Sequence, residues 1–245
     1  MSQNKSHAGQ CQHRQRVVRI SETHILVYVS HHNTIDIKLT PKIASFCKML
    51  RQHFPTLIEI IPSYHSVMIE IHPQKTDVGQ LINFLNQALE NFEQLKDDYQ
   101  FKCIELPVFY HPDVAPDLSE LAQLHQLSLD EVIQYHSYVD YTVCAIGFAP
   151  GFAFLGSVNK AIATPRHKEP RLHVPKGSVG IADKQTAVYP LDSPGGWQVI
   201  GNCPIDLSQP PFQVGDKVRF KPIDRQTFIE LGGVFPTNTQ HKDIQ

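Results

Sequence analysis

Eight of the chain's 13 glycines fall between Gly147 and Gly201, less than a quarter of its 245 residues. The stretch reads GFAPGFAFLG and, a little further on, TPRHKEPRLHVPKGSVGIADKQTAVYPLDSPGGWQVIG. Glycine tolerates positive φ and close backbone approach, whereas proline fixes φ and removes a donor. Set among β-rich runs such as Ser178–Ile181 and Thr186–Tyr189, this punctuation predicts short strands joined by tight, shaped loops, as around a binding site. Beyond Tyr138 the whole pattern is one of short strands and turns, which fits a barrel or a sandwich equally well.

The preceding half reads differently. Ile25–Val29, Leu57–Ile61 and Val67–Ile71 have strand character, the last two separated by the turn Pro62-Ser-Tyr-His-Ser66. Ile43, Phe46, Cys47, Leu50 and Phe54 follow helical spacing after Pro41, as do Val78, Leu81, Ile82, Leu85, Leu89 and Phe92. With a last strand over Phe101–Phe109 the order becomes β-α-β-β-α-β, a ferredoxin-like split arrangement over residues 16–110. The proline-bearing YHPDVAPD then acts as a linker. Two short helices, Leu118–Leu127 and Leu129–Ser137, open the second unit at 111–245, and Ser128-Leu-Asp-Glu131 forms a capping box for the second.

Several function classes are excluded or disfavoured by composition. A formal charge of −2 gives no basic field for nucleic acid. The helix pair is a poor helix-turn-helix, since its second member carries Asp130 and Glu131 and no Lys or Arg. No apolar run reaches the roughly 18 residues of a membrane span. Residues 1–15 are polar and lack the apolar stretch of a secretory signal, so a disordered tail is expected there. Five widely spaced cysteines without a CxxC pair suit reduced thiols in a cytoplasm, with Cys47 and Cys144 as buried apolar groups. There is no phosphate-binding GxxxxGK[ST], no GxGxxG after a strand, no HExxH and no GxSxG. No metal site is expected: His31–His32, the single adjacent histidine pair, faces two ways in a strand and makes a poor chelate.

What remains are polar groups inside the glycine-rich region. Arg166 and Arg171 carry guanidinium forks suited to carboxylate or phosphate, with pairing to Glu169 or Asp183 as the structural alternative. Gln185, Thr186 and Tyr189 follow a turn and can line a pocket or close a barrel core. Gly195 and Gly196 permit close approach of a ligand or partner. Trp197 reads as a core anchor, and Phe148, Phe152 and Phe154 as a hydrophobic wall. His136 ends the second helix, where it can act as a general base or complement the helix dipole.

The chain resembles the KipI / 5-oxoprolinase B-subunit family, also represented within allophanate hydrolase and urea amidolyase chains. The resemblance is carried by Gly147–Gly156, Pro165-Arg166, Glu169-Pro-Arg171, Val174-Pro175, Gly177–Ile181, Gln185-Thr186, Val188-Tyr-Pro190 and Pro194-Gly-Gly-Trp197. Weaker matches are Pro116-Asp-Leu118, His136-Ser137 and Gly215-Asp216 with Val218-Arg-Phe220. It implies an α+β chain, a ferredoxin-like module followed by a cyclophilin-like β-barrel. It also implies one member of a heteromeric enzyme that opens 5-oxo-L-proline to L-glutamate at the expense of ATP. ATP would be a co-substrate, with Mg²⁺, and no cofactor would be tightly held. The expected partners are a carboxyltransferase-like C-subunit, together with an A-subunit in the same pathway. The alternative within the family is a KipI-like regulator that binds and inhibits a sensor histidine kinase. On this resemblance His136, Arg166 and Arg171 are the candidate catalytic residues. Gln185, Thr186, Tyr189, Gly195 and Gly196 are the candidates for binding substrate or nucleotide. Asp183 and Ala187 stand where the family has glycines, so the local loop is expected to differ; Lys176 stands where a small residue is usual.

Overall fold

A computed structural model describes residues 16–30, 36–95, 100–209 and 212–236. The expected N-terminal tail and the His31–His32 pair lie outside them.

The first unit is built from β1 (Val17–Arg19), β2 (His24–Tyr28), α1 (Leu39–His53), β3 (Glu59–Pro62), β4 (Ser66–Glu70) and α2 (Val78–Glu90). Its sheet has the order β1-β2-β4-β3, antiparallel throughout. Alternation decides the faces: Ile25 and Val27 of β2 and Val67 and Ile69 of β4 point inward and are fully buried. Against them pack Ile43, Phe46, Cys47 and Leu50 of α1 and Leu81, Leu85 and Leu89 of α2, each set one helical stripe. Asp77 starts α2 by accepting the Gln80 N–H at 3.0 Å.

The second unit carries β5 (Cys103–Val108), α3 (Leu118–Leu124), α4 (Leu129–Ser137), β6 (Asp140–Ile146), β7 (Ala153–Gly156), β8 (Arg171–Val174), β9 (Ser178–Ala182), β10 (Gln185–Val188), β11 (Ser193–Gly195), β12 (Gln198–Asn202), β13 (Lys217–Pro222) and α5 (Arg225–Glu230). Seven of these strands form one sheet, β12-β9-β10-β7-β6-β13-β5, while β8 and β11 form a small separate ribbon. The sheet curls until its two ends meet. Phe109, just past β5, and Asn202, the last residue of β12, exchange N–H···O bonds of 2.9 and 3.0 Å. Gly201 makes that approach possible, because a Cβ there would stand 2.7 Å from Val108 Cγ1. The interior is filled by Tyr141, Val143, Leu155, Val179, Ile181, Ile200, Val218 and Phe220. The expected capping box forms, with Ser128 and Glu131 bonding reciprocally at the start of α4.

The α+β architecture and barrel-like sheet agree with expectation, but one strand has a different partner. The strand expected over Phe101–Phe109 forms as β5 and pairs in parallel with β13, from Lys217↔Cys103 to Pro222↔Val108. The three-residue β1, which the sequence pattern did not single out, takes the remaining place in the first sheet. Side-chain alternation announces a strand, but only register and available edges choose its partner. The glycine departures also resolve. Asp183 adopts φ +53° in the β9–β10 turn, a conformation Asp tolerates. Ala187 sits in the regular strand β10 opposite Gly180, so no left-handed backbone is asked of it.

Candidate functional site

The glycine-rich region sorts its polar residues into two groups, one closed inside the protein and one open at its surface. His136 belongs to the first. It is completely buried at the end of α4, its ring stacked on Phe220 with centroids 4.6 Å apart. Its Nε2 lies 2.9 Å from Thr186 Oγ1, and that hydroxyl donates to the Gly180 carbonyl at 2.9 Å. Thr186 therefore accepts from Nε2–H, which makes Nδ1 the acceptor for the Tyr110 hydroxyl at 2.7 Å. Burial depresses the His136 pKa to about 3, so the ring is neutral. Both nitrogens are spent inside the core. Contrary to the expectation of a general base, His136 meets no solvent, and Thr186, expected to bind a ligand, is also fully buried.

Arg171 begins β8 and closes on Asp117, the residue that opens α3. Nη1 and Nη2 donate to the two carboxylate oxygens at 2.9 and 2.5 Å. The carboxylate is nearly buried and also accepts the Val199 N–H at 2.6 Å. Such a fork is strong because both members are ionised and geometrically matched. It holds the β8–β11 ribbon to α3 and β12. The partner is thus neither Glu169 nor Asp183, and the guanidinium is already occupied. His167 lies alongside, its Nε2 3.3 Å from the same carboxylate.

Arg166 is the opposite case. It is exposed, forms no ion pair among the described residues, and lies over the Trp197 ring with Cζ 5.5 Å from the centroid. Trp197 is buried, as expected of a core anchor, and meets Phe152 and Phe154 at 5.7 and 5.9 Å. Phe154 in turn meets Tyr64 edge-on at 6.4 Å. Tyr64 comes from the β3–β4 turn of the first sheet, and its phenol oxygen accepts the Gln185 Nε2–H at 2.5 Å. Tyr189 completes the group. Its phenol occupies the space left by the absent side chain of Gly195, where any Cβ would collide with it. Burial raises both phenols, Tyr64 to about 12, while the Arg166 charge acts on each in the opposite sense. The result is an aromatic floor carrying two protonated phenols and one cation that has no ion pair among the described residues. It suits a small planar acid or a phosphate.

The structure thus gathers Arg166, Gln185 and Tyr189, closes His136 and Thr186 inside the core, and ties Arg171, although its charge reaches Tyr189, to Asp117. Gly195 serves Tyr189, while Gly196 offers its carbonyl to the His167 N–H at 2.7 Å and has no crowded neighbour. Phe148 joins the wall at its outer edge, meeting Phe152 edge-on at 5.2 Å, but is itself 69% exposed, at φ +76°. Two important residues were missed. Asp117 lay within the weakly matching Pro116-Asp-Leu118, and Tyr64 within a run that reads only as a turn. Among the described residues no group of three or more metal-ligating side chains occurs, and no helix is long and apolar enough to cross a membrane. A cleft of about 1110 Å³ lies elsewhere, lined by Lys48, Arg51, Glu59, Gln213 and others. Its Arg51 is committed to the Ile60 carbonyl at 3.1 Å, and none of the candidate residues borders it.

A barrel-like sheet joined to a small α/β unit, with this site at the glycine-rich face, defines a carboxyltransferase-type module. The chain belongs to the family described as carboxyltransferase domain, subdomain C and D, whose model matches residues 15–213. The resemblance to 5-oxoprolinase B-subunit proteins holds. The 5-oxoprolinase B-subunit from Bacillus subtilis (strain 168) is 39% identical over 197 residues, covering 72% of this chain and 80% of that one. The crystal structure of TTHA0988 aligns with TM-score 0.71 and 29% identity over 87% of this chain and 41% of that chain, so this chain spans about two fifths of it. The Kluyveromyces lactis urea carboxylase shares the fold, with TM-score 0.66 and 17% identity over 87% of this chain and 22% of its own.

Proposed function

We propose that the chain is the B-subunit of a heteromeric, ATP-dependent 5-oxoprolinase that converts 5-oxo-L-proline to L-glutamate in the cytoplasm. The observation that carries this reading is Arg166, a guanidinium with no ion pair among the described residues, over the Trp197 ring, in a chain 39% identical to a 5-oxoprolinase B-subunit. A five-membered lactam resists water because amide resonance stabilises its ground state. Transfer of the ATP γ-phosphoryl group to the lactam oxygen releases ADP and leaves an electrophilic carbon. Water adds there, the ring C–N bond breaks, and a second water releases phosphate, giving glutamate, ADP and phosphate from 5-oxoproline, ATP and two waters. ATP, with Mg²⁺, is a co-substrate in this scheme, and no cofactor is tightly held.

Within this reading Arg166 binds the substrate carboxylate, and Gln185 and Tyr189 shape the floor beside it. Arg171 and His136 act as positioning groups, the first through Asp117 and the second through Thr186 and β10. The site is completed by a carboxyltransferase-like C-subunit, which fits an open, exposed Arg166, while an A-subunit works in the same pathway. The test is 5-oxoproline-dependent ATP hydrolysis by the three proteins with each omitted in turn. Loss of ADP and glutamate formation without this chain is expected; undiminished activity without it overturns the proposal.

The second reading is a KipI-like regulator that binds and inhibits a sensor histidine kinase. It is favoured by the solvent-facing Phe148 and Leu172, 69% and 92% exposed, as contact points for a protein surface. Activity independent of this chain in the omission assay selects this reading.

A further inference from the structure

The first sheet does more than support the barrel, because it sends one side chain to the site. We propose that Tyr64 is a specificity residue whose hydroxyl recognises the ring carbonyl of the substrate, selecting a lactam acid over a ring without one. This rests on the proposed oxoprolinase function and assigns a role within its site.

The hydrogen bond between Gln185 and Tyr64 has a definite direction. Gln185 is the first residue of β10, held between Ala182 of β9 and Gly156 of β7. Its Nε2–H donates to the Tyr64 oxygen, so the phenol acts as acceptor in that bond and its own proton remains unspent. Among the described residues that proton finds no acceptor. The phenol is held at about 12 chiefly by burial, so it remains a neutral donor across the physiological range. A turn of sequence Pro-Ser-Tyr-His-Ser requires no aromatic residue for its own geometry. The ring is instead placed by Phe154, which leans on Trp197 beneath Arg166.

The pair of groups has a definite complement. Arg166 supplies a charged fork for a carboxylate, and Tyr64 supplies a single neutral donor on the same aromatic floor. 5-Oxoproline has one carboxylate and one amide carbonyl on a compact ring. A carbonyl oxygen has two lone pairs, so one can accept from Tyr64 while the other stays available to phosphorus. Because the donor comes from the first sheet and the cation from the barrel, substrate is recognised only when the two units are in register.

The test uses the reconstituted complex with Tyr64→Phe, which keeps the ring and removes the hydroxyl. The KM for 5-oxoproline is expected to rise about 10- to 30-fold, as for loss of one well-placed hydrogen bond. The KM for ATP is expected to stay unchanged, and the unfolding temperature to fall only by the loss of the one hydrogen bond from Gln185. An unaltered KM for 5-oxoproline, or a parallel rise in both KM values, overturns the assignment while leaving the oxoprolinase function standing. Absence of 5-oxoproline turnover by the wild-type complex overturns both.

Discussion

The Arg171 guanidinium grips both carboxylate oxygens of Asp117, at 2.9 and 2.5 Å, joining residues 54 positions apart at the start of β8 and the start of α3. Val199 of β12 donates to the same carboxylate, so three elements meet on one nearly buried charge. Removing the arginine strands that charge, which costs about 3 kcal/mol or more for a buried ion pair. Arg171→Met is therefore expected to lower the urea midpoint by an amount equivalent to about 3 kcal/mol. Arg171→Lys should recover little of it, since an ammonium cannot reproduce the fork. A loss below about 0.5 kcal/mol, the size typical of surface substitutions, would contradict a structural role.

His136 gives the fold a pH dependence with a definite sign. Its pKa falls from 6.5 to about 3 on folding because burial disfavours the cation. The unfolded chain thus binds the proton more readily. The contribution is present in full above pH 6.5 and is lost as pH falls towards 3, at about 1.4 kcal/mol per unit once below 6.5. Denaturation midpoints between pH 7.5 and 5 lie above the range in which carboxylates such as Asp140 and Asp206 titrate. Over that interval His136→Phe is expected to flatten the decline, although its baseline is lower through loss of the bonds to Tyr110 and Thr186. A wild-type-like slope in the variant would contradict the assignment.

The barrel closure can be tested at Gly201. Alanine there places a methyl group 2.7 Å from Val108 Cγ1, inside a fully buried contact. Overpacking of this kind typically costs about 1–3 kcal/mol. Gly201→Ala is expected to destabilise by that amount, measured by thermal unfolding. An unchanged melting temperature would mean that the two ends of the sheet meet less closely than described.

Local order was easily read from the sequence, and pairing at a distance was not. Leu81, Leu85 and Leu89 share a 3.6-residue stripe, and Ser128 and Glu131 lie three residues apart, so both features could be read within one short segment. The partner of β5 could not, because Cys103–Val108 meets Lys217–Pro222 across more than a hundred residues. The same limit hid the site. Tyr64 and Gln185 are 121 residues apart, and nothing in the turn around Tyr64 points to the barrel. Arg166 and Arg171 looked equivalent in sequence; only the position of Asp117 separates a tethered guanidinium from an open one. Asp183 and Ala187 show a further limit. Both replace expected glycines, yet only Asp183 occupies a backbone conformation where the difference matters.

Gln185 is expected to act through Tyr64. Gln185→Leu removes the donor that turns the phenol into an acceptor, leaving the Tyr64 proton undirected. A rise of about threefold to tenfold in KM for 5-oxoproline is expected, as for a neutral hydrogen bond. In the Tyr64→Phe background the same substitution should add little, because contacting residues are not additive. Full additivity in that double-mutant cycle would contradict the coupling.

The central claim is that the open guanidinium of Arg166, and not the tethered one of Arg171, serves the reaction. The most direct measurement is 5-oxoproline-dependent ADP formation by the reconstituted complex containing Arg166→Ala, with thermal unfolding of the same chain. Loss of a charged, two-pronged contact predicts a fall in kcat/KM of about 100-fold or more at an unchanged melting temperature. Wild-type turnover in Arg166→Ala would contradict the account.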